Sequence, residues 1–118
     1  MRRIYHIATV ADWERAQEDG AYTTSTRGRT LAEQGFIHAS GAAQTAPVAN
    51  RFYKDTGEPL VVLVIEVARL TAPLQYDDVP GSPDPFPHIY GPLNLDAVVD
   101  TLPFAPGPDG TYTFAPPR

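Results

Sequence analysis

The segment 60–67 constrains the fold more than any other part of the chain. Its residues are apolar except for Glu66, and most are β-branched, which favours extended backbone over helix. An apolar run without polar alternation is typical of a strand that other elements cover on both faces. We therefore predict a central strand here. The strongly apolar part, residues 60–65, has only six residues. A membrane-spanning helix needs about 20, so no transmembrane segment is expected.

Length and composition indicate one small domain. The chain has 118 residues, enough for one modest core, and we treat 1–118 as a single domain. It contains no cysteine, which excludes disulfides and thiol nucleophiles and fits a cytoplasmic location. The N-terminal residues turn polar again by Asp12, so no signal peptide is expected.

Three segments carry helix signals. Thr9 begins a capping-box pattern, and Gly20 provides the end of that helix. Thr30 and Glu33 form a second capping box, on a short helical turn that Gly35 closes.

A third helix is predicted around Pro47, which fits an early helical turn. Val48, Phe52 and Tyr53 give this helix its apolar stripe.

The remaining signals are those of short strands. Eleven of the 13 prolines lie at or after residue 73, so the C-terminal third is predicted to be rich in loops. Further strands are predicted over 3–8, 36–40 and 74–77, in a late segment with Val98, Val99 and Leu102, and over 111–114. With two to three short helices, this pattern indicates an α+β fold.

The charge is unevenly distributed. Residues 1–72 hold eight acids and eight bases, whereas residues 73–118 hold six acids and one base, which gives the net charge of −5. An acidic chain is a poor candidate for duplex DNA binding. Within 20–54, however, Arg27, Arg29, Arg51 and Lys54 stand against Glu33 alone. This patch is either a solvated basic face or a site for a small phosphorylated ligand.

The three histidines are the strongest candidates for chemistry. His6, His38 and His88 each lie in or beside a predicted strand, at spacings of 32 and 50 residues. No local metal-binding motif exists at these spacings, and no metal is expected. Each histidine by itself is consistent with a hydrogen-bonded structural residue. Together they favour a shared cleft, because polar side chains on apolar strands need partners.

Other catalytic patterns are weak. Ser40 follows His38 by two residues on the same strand face, but no Gly-x-Ser-x-Gly elbow surrounds it. Carboxylates near the histidines are scarce. Glu66 fits a strand end, and Asp77 and Asp78 fit the start of a loop.

Four strings of residues together are similar to a known family. They are Ile4-Tyr5-His6-Ile7, Gly35-Phe36-Ile37-His38-Ala39-Ser40, Ala49-Asn50-Arg51-Phe52-Tyr53 and Phe86-Pro87-His88-Ile89-Tyr90-Gly91-Pro92-Leu93. Over residues 3–103 the chain resembles the domain-of-unknown-function 952 family of small bacterial proteins, which is grouped with the ADP-ribosyltransferase-like superfamily. The resemblance implies a split, mostly antiparallel pair of small sheets around an NAD cleft.

The resemblance also implies roles for individual residues. His6 matches the first-strand position that binds the ribose of NAD, and His38 matches a position beside the nicotinamide, with Ser40 as its hydrogen-bond partner. His88 and Tyr90 stand at the family's third motif, and Asp77 stands at an acidic position. His88 or Asp77 would bind the acceptor or serve as the acid. Arg27, Arg29 or Arg51 would hold a phosphate. The superfamily's glutamate is absent from this motif, which departs from the pattern.

An ADP-ribosyltransferase-like enzyme that uses NAD or a related nucleotide is one hypothesis, a metal site formed by the three histidines is the least favoured, and two other classes of function stay open. One is a non-catalytic module that binds a small ligand or partner. The other is a different small-molecule enzyme, such as a cyclase, isomerase or hydrolase, that uses the same cleft.

Overall fold

A computed structural model describes residues 2–116 of the chain. Within this range the backbone forms ten strands, three α-helices and two 3₁₀ turns, with a radius of gyration of 13.3 Å. The strands are β1 (Arg3–Thr9), β2 (Ala21–Tyr22), β3 (Thr24–Thr26), β4 (Arg29–Thr30), β5 (Ile37–His38), β6 (Leu60–Glu66), β7 (Leu74–Asp77), β8 (Phe86–Ile89), β9 (Leu93–Asn94) and β10 (Val98–Phe104). The helices are α1 (Val10–Asp19), α2 (Leu31–Gln34) and α3 (Ala42–Phe52), and the 3₁₀ turns are Val67–Arg69 and Leu95–Ala97.

A three-stranded sheet, in the order β1-β6-β10, forms the centre of the molecule. Both of its strand pairs are antiparallel, and His6 of β1 lies opposite Leu63 of β6. All seven residues of β6 are buried, which confirms the predicted central strand.

Each face of this sheet is covered by its own apolar cluster. On one face, residues of α1, β2, β5, β8 and β9 pack with Ile4 and Leu63. On the other face, α3 and the C-terminal segment pack with Tyr5 and Val64. The alternation of side chains along a strand therefore divides the core into two layers.

A second three-stranded sheet, in the order β5-β8-β7, lies beside the edge of β1. An isolated bridge joins the two sheets, because the amide and carbonyl of Tyr5 hydrogen-bond those of Ser40 at 2.8 and 2.7 Å. The predicted strand 36–40 is thus shorter than expected, and Ser40 contributes only this bridge. With the two-stranded pairs β2-β9 and β3-β4, all strand pairs of residues 2–116 are antiparallel. The predicted α+β fold with short helices and antiparallel sheets is confirmed.

The first two helices follow their capping signals. The Thr9 side chain accepts a hydrogen bond from the Asp12 amide, and α1 ends at Gly20 in the left-handed conformation. The reciprocal box between Thr30 and Glu33 is formed in α2, which Gly35 ends in the same way. Local side-chain chemistry was sufficient to predict both helices.

The prediction for the third helix was wrong in two respects. α3 begins at Ala42, so Pro47 lies in its interior and not in the first turn. Proline lacks the amide that would bond the carbonyl of Ala43, but Ala43 is exposed, so water can reach that carbonyl. Phe52 is 57% exposed and forms no part of a buried stripe, whereas Ala49 and Tyr53 are buried.

The predicted strand over 111–114 was also wrong. The backbone of Tyr112 pairs with a side chain instead of a strand: its amide donates to Asn50 Oδ1 at 2.7 Å, and its carbonyl accepts from Asn50 Nδ2 at 3.0 Å. The Tyr112 ring is buried against Phe104, with centroids 4.9 Å apart. Asn50 therefore holds the C-terminal segment against α3.

Replacing Asn50 with alanine is expected to lower the free energy of unfolding by about 2 kcal/mol. The change leaves the amide and carbonyl of the partly buried Tyr112 backbone without partners. Urea denaturation measures the effect. The matched control is Glu14→Ala on the exposed face of α1, which should stay within about 0.5 kcal/mol of the parent. Equal midpoints for the two variants would contradict the role of Asn50.

None of the helices that residues 2–116 form has the length and apolar character needed to cross a lipid bilayer.

Candidate functional site

A cavity of about 690 Å³ opens at the edge of β1. Its walls come from β1, the β3–β4 hairpin, α3, β5, β8 and the loop 79–84. A volume of this size is typical of sites for small molecules and cofactors.

All three histidines line this cavity. His6 reaches it from β1, while His38 and His88 are directly opposite each other on β5 and β8. The rings of His38 and His88 meet edge to face, with centroids 5.1 Å apart. The antiparallel register of β5 and β8 therefore brings together residues that are far apart in the sequence.

Both ring nitrogens of His6 are engaged within the protein. Nδ1 lies against the carbonyl oxygen of His38, which fixes it as the N–H donor, and Nε2 accepts from the Tyr22 hydroxyl at 2.8 Å. Burial lowers the pKa of His6 to about 4 and raises the pKa of Tyr22, so both side chains are neutral near pH 7. To contact a ribose through its ring nitrogens, His6 would have to exchange one of these bonds.

Only one of the two ring nitrogens of His88 is hydrogen-bonded in the described part of the chain. Its Nδ1 donates to Asp77 Oδ2 at 2.7 Å, and the Tyr90 hydroxyl donates to the same oxygen. The ring stacks on Phe36, with centroids 4.1 Å apart, and only 3% of the residue is exposed. Its Nε2 is buried and has no partner among residues 2–116.

The hydrogen bonds around Asp77 determine its charge. The bonds from Tyr90 and then His88 lower the pKa of Asp77, and the bond to Asp77 raises the pKa of Tyr90. Asp77 is therefore an anion and Tyr90 a neutral phenol near pH 7. Neither residue is among those lining the cavity; Asp77 bonds the lining residue His88, and Tyr90 bonds Asp77.

His38 and Ser40 both line the cavity but do not pair as expected. His38 Nε2 lies 3.4 Å from Gln34 Oε1, and the backbone of Ser40 is committed to Tyr5. Burial and then the neighbouring His88 lower the pKa of His38, so its neutral form is favoured near pH 7.

Arginines give the cavity a positive charge. Arg27, Arg29 and Arg51 line it, and Asp84 is the only acid among its lining residues in the described part of the chain. The Arg27 guanidinium lies over the Tyr53 ring at 5.8 Å, and that of Arg51 over the Phe52 ring at 5.3 Å. The predicted basic patch thus contributes three of its four cations to the cavity.

Several contacts of the site have no signal in the sequence. Tyr22 and Gln34, which hold His6 and His38, have no spacing that predicts these contacts. Tyr53, interpreted as part of an apolar stripe, also bonds Thr26 through its hydroxyl at 3.1 Å. The loop 79–84 was predicted as a loop, but no local signal placed it over the histidines. Among residues 2–116, no group of three His, Cys, Asp or Glu side chains is arranged to hold a metal ion.

The fold and site define a small α+β protein with a cavity lined by histidines and arginines. Residues 7–101 match the family described as "Protein of unknown function (DUF952)", and the chain belongs to this family. The family resemblance seen in the motifs is therefore confirmed. No curated protein matches the chain.

Solved structures of one bacterial protein are similar to this chain. The crystal structure of CC0527 from Caulobacter crescentus is 28% identical, covers 95% of this chain and 94% of its own, and superimposes with a TM-score of 0.81. The solution NMR structure of CC0527 is 29% identical, covers 94% and 91% of the two chains, and gives a TM-score of 0.75.

Proposed function

We propose that the cavity binds a phosphorylated nucleotide of the NAD class and that the protein is ADP-ribosyltransferase-like. The observation that carries the proposal is the local charge. Three arginines and one aspartate line the cavity of a chain whose net charge is −5. Guanidinium groups bind phosphate oxygens through paired, charge-assisted hydrogen bonds.

The residues of the cavity fit such a ligand in other respects. A dinucleotide combines a charged diphosphate with flat rings, and the site offers aromatic rings, including those of Tyr5, Phe52 and Tyr53, beside its arginines. Arg27 and Arg51, from two different elements, would hold the diphosphate. His38 and Ser40 would lie beside the nicotinamide. His6 would contact the ribose only by exchanging a bond, and otherwise positions β5 through the carbonyl of His38.

The proposed reaction is transfer of ADP-ribose from NAD, which is the substrate. Cleavage of the nicotinamide–ribose bond develops positive charge on the sugar, which a nearby carboxylate usually stabilises. In the described part of the chain, Asp84 is the only carboxylate that lines the cavity. The protein's contribution is therefore expected to depend on binding, orientation and proton transfer by neutral histidines.

Replacing Arg27 and Arg51 with glutamine is expected to weaken ADP-ribose binding by about tenfold for each side chain and by about 100-fold together. Nicotinamide, which carries no phosphate, should bind the parent and the double variant equally. Titration calorimetry of the full chain measures these affinities.

The matched control is Arg15→Gln. Arg15 is an exposed arginine of α1 that does not line the cavity. If the double variant binds ADP-ribose as tightly as Arg15→Gln does, the arginines do not form a phosphate site and the proposal fails.

A further inference from the structure

We infer that His88 takes up the proton of a hydroxyl group in the cavity through Nε2, which makes the acceptor of the proposed transfer an alcohol or water. The inference rests on the proposed function and names its acceptor class. Asp77 and Tyr90 are then positioning residues that act through His88.

The tautomer of His88 follows from its neighbours. An anionic carboxylate oxygen 2.7 Å from Nδ1 can only accept, so Nδ1 carries the hydrogen. In the neutral ring, Nε2 then holds a lone pair. Tyr90 donates to the same Asp77 oxygen, which keeps that carboxylate ionised and fixes its position.

Nε2 is the ring nitrogen of His88 that is left without a partner among the described residues, and so the one that a ligand hydroxyl would meet. His88 lines the cavity, yet its Nε2 is buried without a partner in residues 2–116. A buried acceptor without a partner costs about 1–3 kcal/mol, so a donor that reaches this atom binds favourably. The stack against Phe36 fixes the plane of the ring. Of the three histidines, His6 has both nitrogens engaged and His38 shares Nε2 with Gln34.

The hydroxyl O–H bond breaks, and its proton joins the lone pair of His88 Nε2. The oxygen forms a new bond to the ribose carbon, and the electron pair of the ribose–nicotinamide bond leaves with nicotinamide, which departs as a neutral molecule. Asp77 stabilises the imidazolium of His88 that results. His88 then returns the proton to water.

The test combines nicotinamide release with imidazole ¹⁵N NMR on the full chain. NAD is supplied with water alone and with added glycerol as the alcohol. His88→Gln is expected to slow release at least about 100-fold, while its affinity for ADP-ribose stays within about threefold. In the parent, the NMR spectrum should show hydrogen on Nδ1 of His88 and none on Nε2, and glycerol as the acceptor alcohol should shift Nε2.

Tyr90→Phe is a milder variant, because Tyr90 is 37% exposed and its loss leaves the core intact. It should slow release by about three- to tenfold at unchanged ADP-ribose affinity. Asp77→Asn should move the hydrogen of His88 from Nδ1 to Nε2, an effect that a merely structural residue would not have. Arg15→Gln is the control for both measurements.

The outcomes separate the two proposals. If the parent binds no ADP-ribose, the proposed function fails and the acceptor inference fails with it. If the parent binds ADP-ribose but His88→Gln releases nicotinamide at the parental rate, only the inference is overturned. Binding without any release overturns both the proposed transfer reaction and the inference, and leaves only nucleotide binding. Hydrogen on His88 Nε2 in the parent overturns the inference alone.

Discussion

Lowering the pH from 7 to 4.5 is expected to reduce the free energy of unfolding by roughly 2–3 kcal/mol through His6 alone. The pKa of His6 is about 4 in the folded protein, against 6.5 for a free histidine. The unfolded chain therefore binds a proton below pH 6.5, whereas the folded chain resists protonation until about pH 4. This contribution of His6 to the free energy of unfolding is fully present above pH 6.5 and is lost as the pH falls towards 4.

The cause of this effect is the burial of the His6 ring, which disfavours its charged form; the hydrogen bond to the carbonyl of His38 raises the pKa and opposes burial only in part. His38 contributes in the same direction, because its pKa is also lowered. The lowered pKa of Asp77 contributes only at lower pH, where an ordinary aspartate begins to be protonated.

Urea denaturation at a series of pH values measures the effect, and His6→Gln is the diagnostic variant. A glutamine amide can donate to the carbonyl of His38 and accept from Tyr22, but it does not titrate in this range. The free energy of unfolding of His6→Gln should therefore change less between pH 7 and 4.5 than that of the parent. An identical pH profile for the parent and His6→Gln would contradict the assignment.

Leu63→Ala is expected to lower the free energy of unfolding by about 3–4 kcal/mol. Leu63 lies in the middle of β6, is fully buried, and stands opposite His6 and Thr101 on its two neighbours. Removing its side chain leaves a cavity that strands on both sides keep from collapsing. The loss would be a large part of the stability of an ordinary domain.

Leu102→Ala is the matched control for this prediction. Leu102 is the same residue type in the edge strand β10 and is only partly buried, so about 1–2 kcal/mol is expected from its truncation. Urea denaturation measures both free-energy changes, from the shift of the midpoint at constant m-value. If Leu63→Ala costs no more than Leu102→Ala, β6 is not the centre of the core.

The features that the sequence predicted well are those with local causes. β6 is apolar except for Glu66 and mostly β-branched, and α1 and α2 have side-chain caps that act within three residues. The residue before α3 is Gly41, which makes no side-chain cap, so no such cap marks the start of this helix and Pro47 suggested a false start. The strand predicted over 111–114 failed because Asn50, 62 residues away from Tyr112, takes its place.

In the candidate site too, features with local causes were predicted and features with long-range causes were not. The histidines were identifiable by type, since polar rings on apolar strands need partners. Their proximity depends on the register of β5 with β8 and on the bridge between Tyr5 and Ser40. Such contacts arise from sheet pairing across the whole chain, which no local pattern encodes. The acid at Asp77 was identified, but its place behind His88 became evident only from the geometry.

Thermal unfolding of the full chain with millimolar NAD, NADP, ADP-ribose and nicotinamide is the most direct test of the nucleotide site. A ligand at 100 times its dissociation constant adds about 2.7 kcal/mol, which for a domain of this length is a shift on the order of 10 °C. We expect such a shift with the three phosphorylated ligands and a smaller one with nicotinamide. No shift with any of the four would contradict the proposal that this cavity binds a nucleotide of the NAD class.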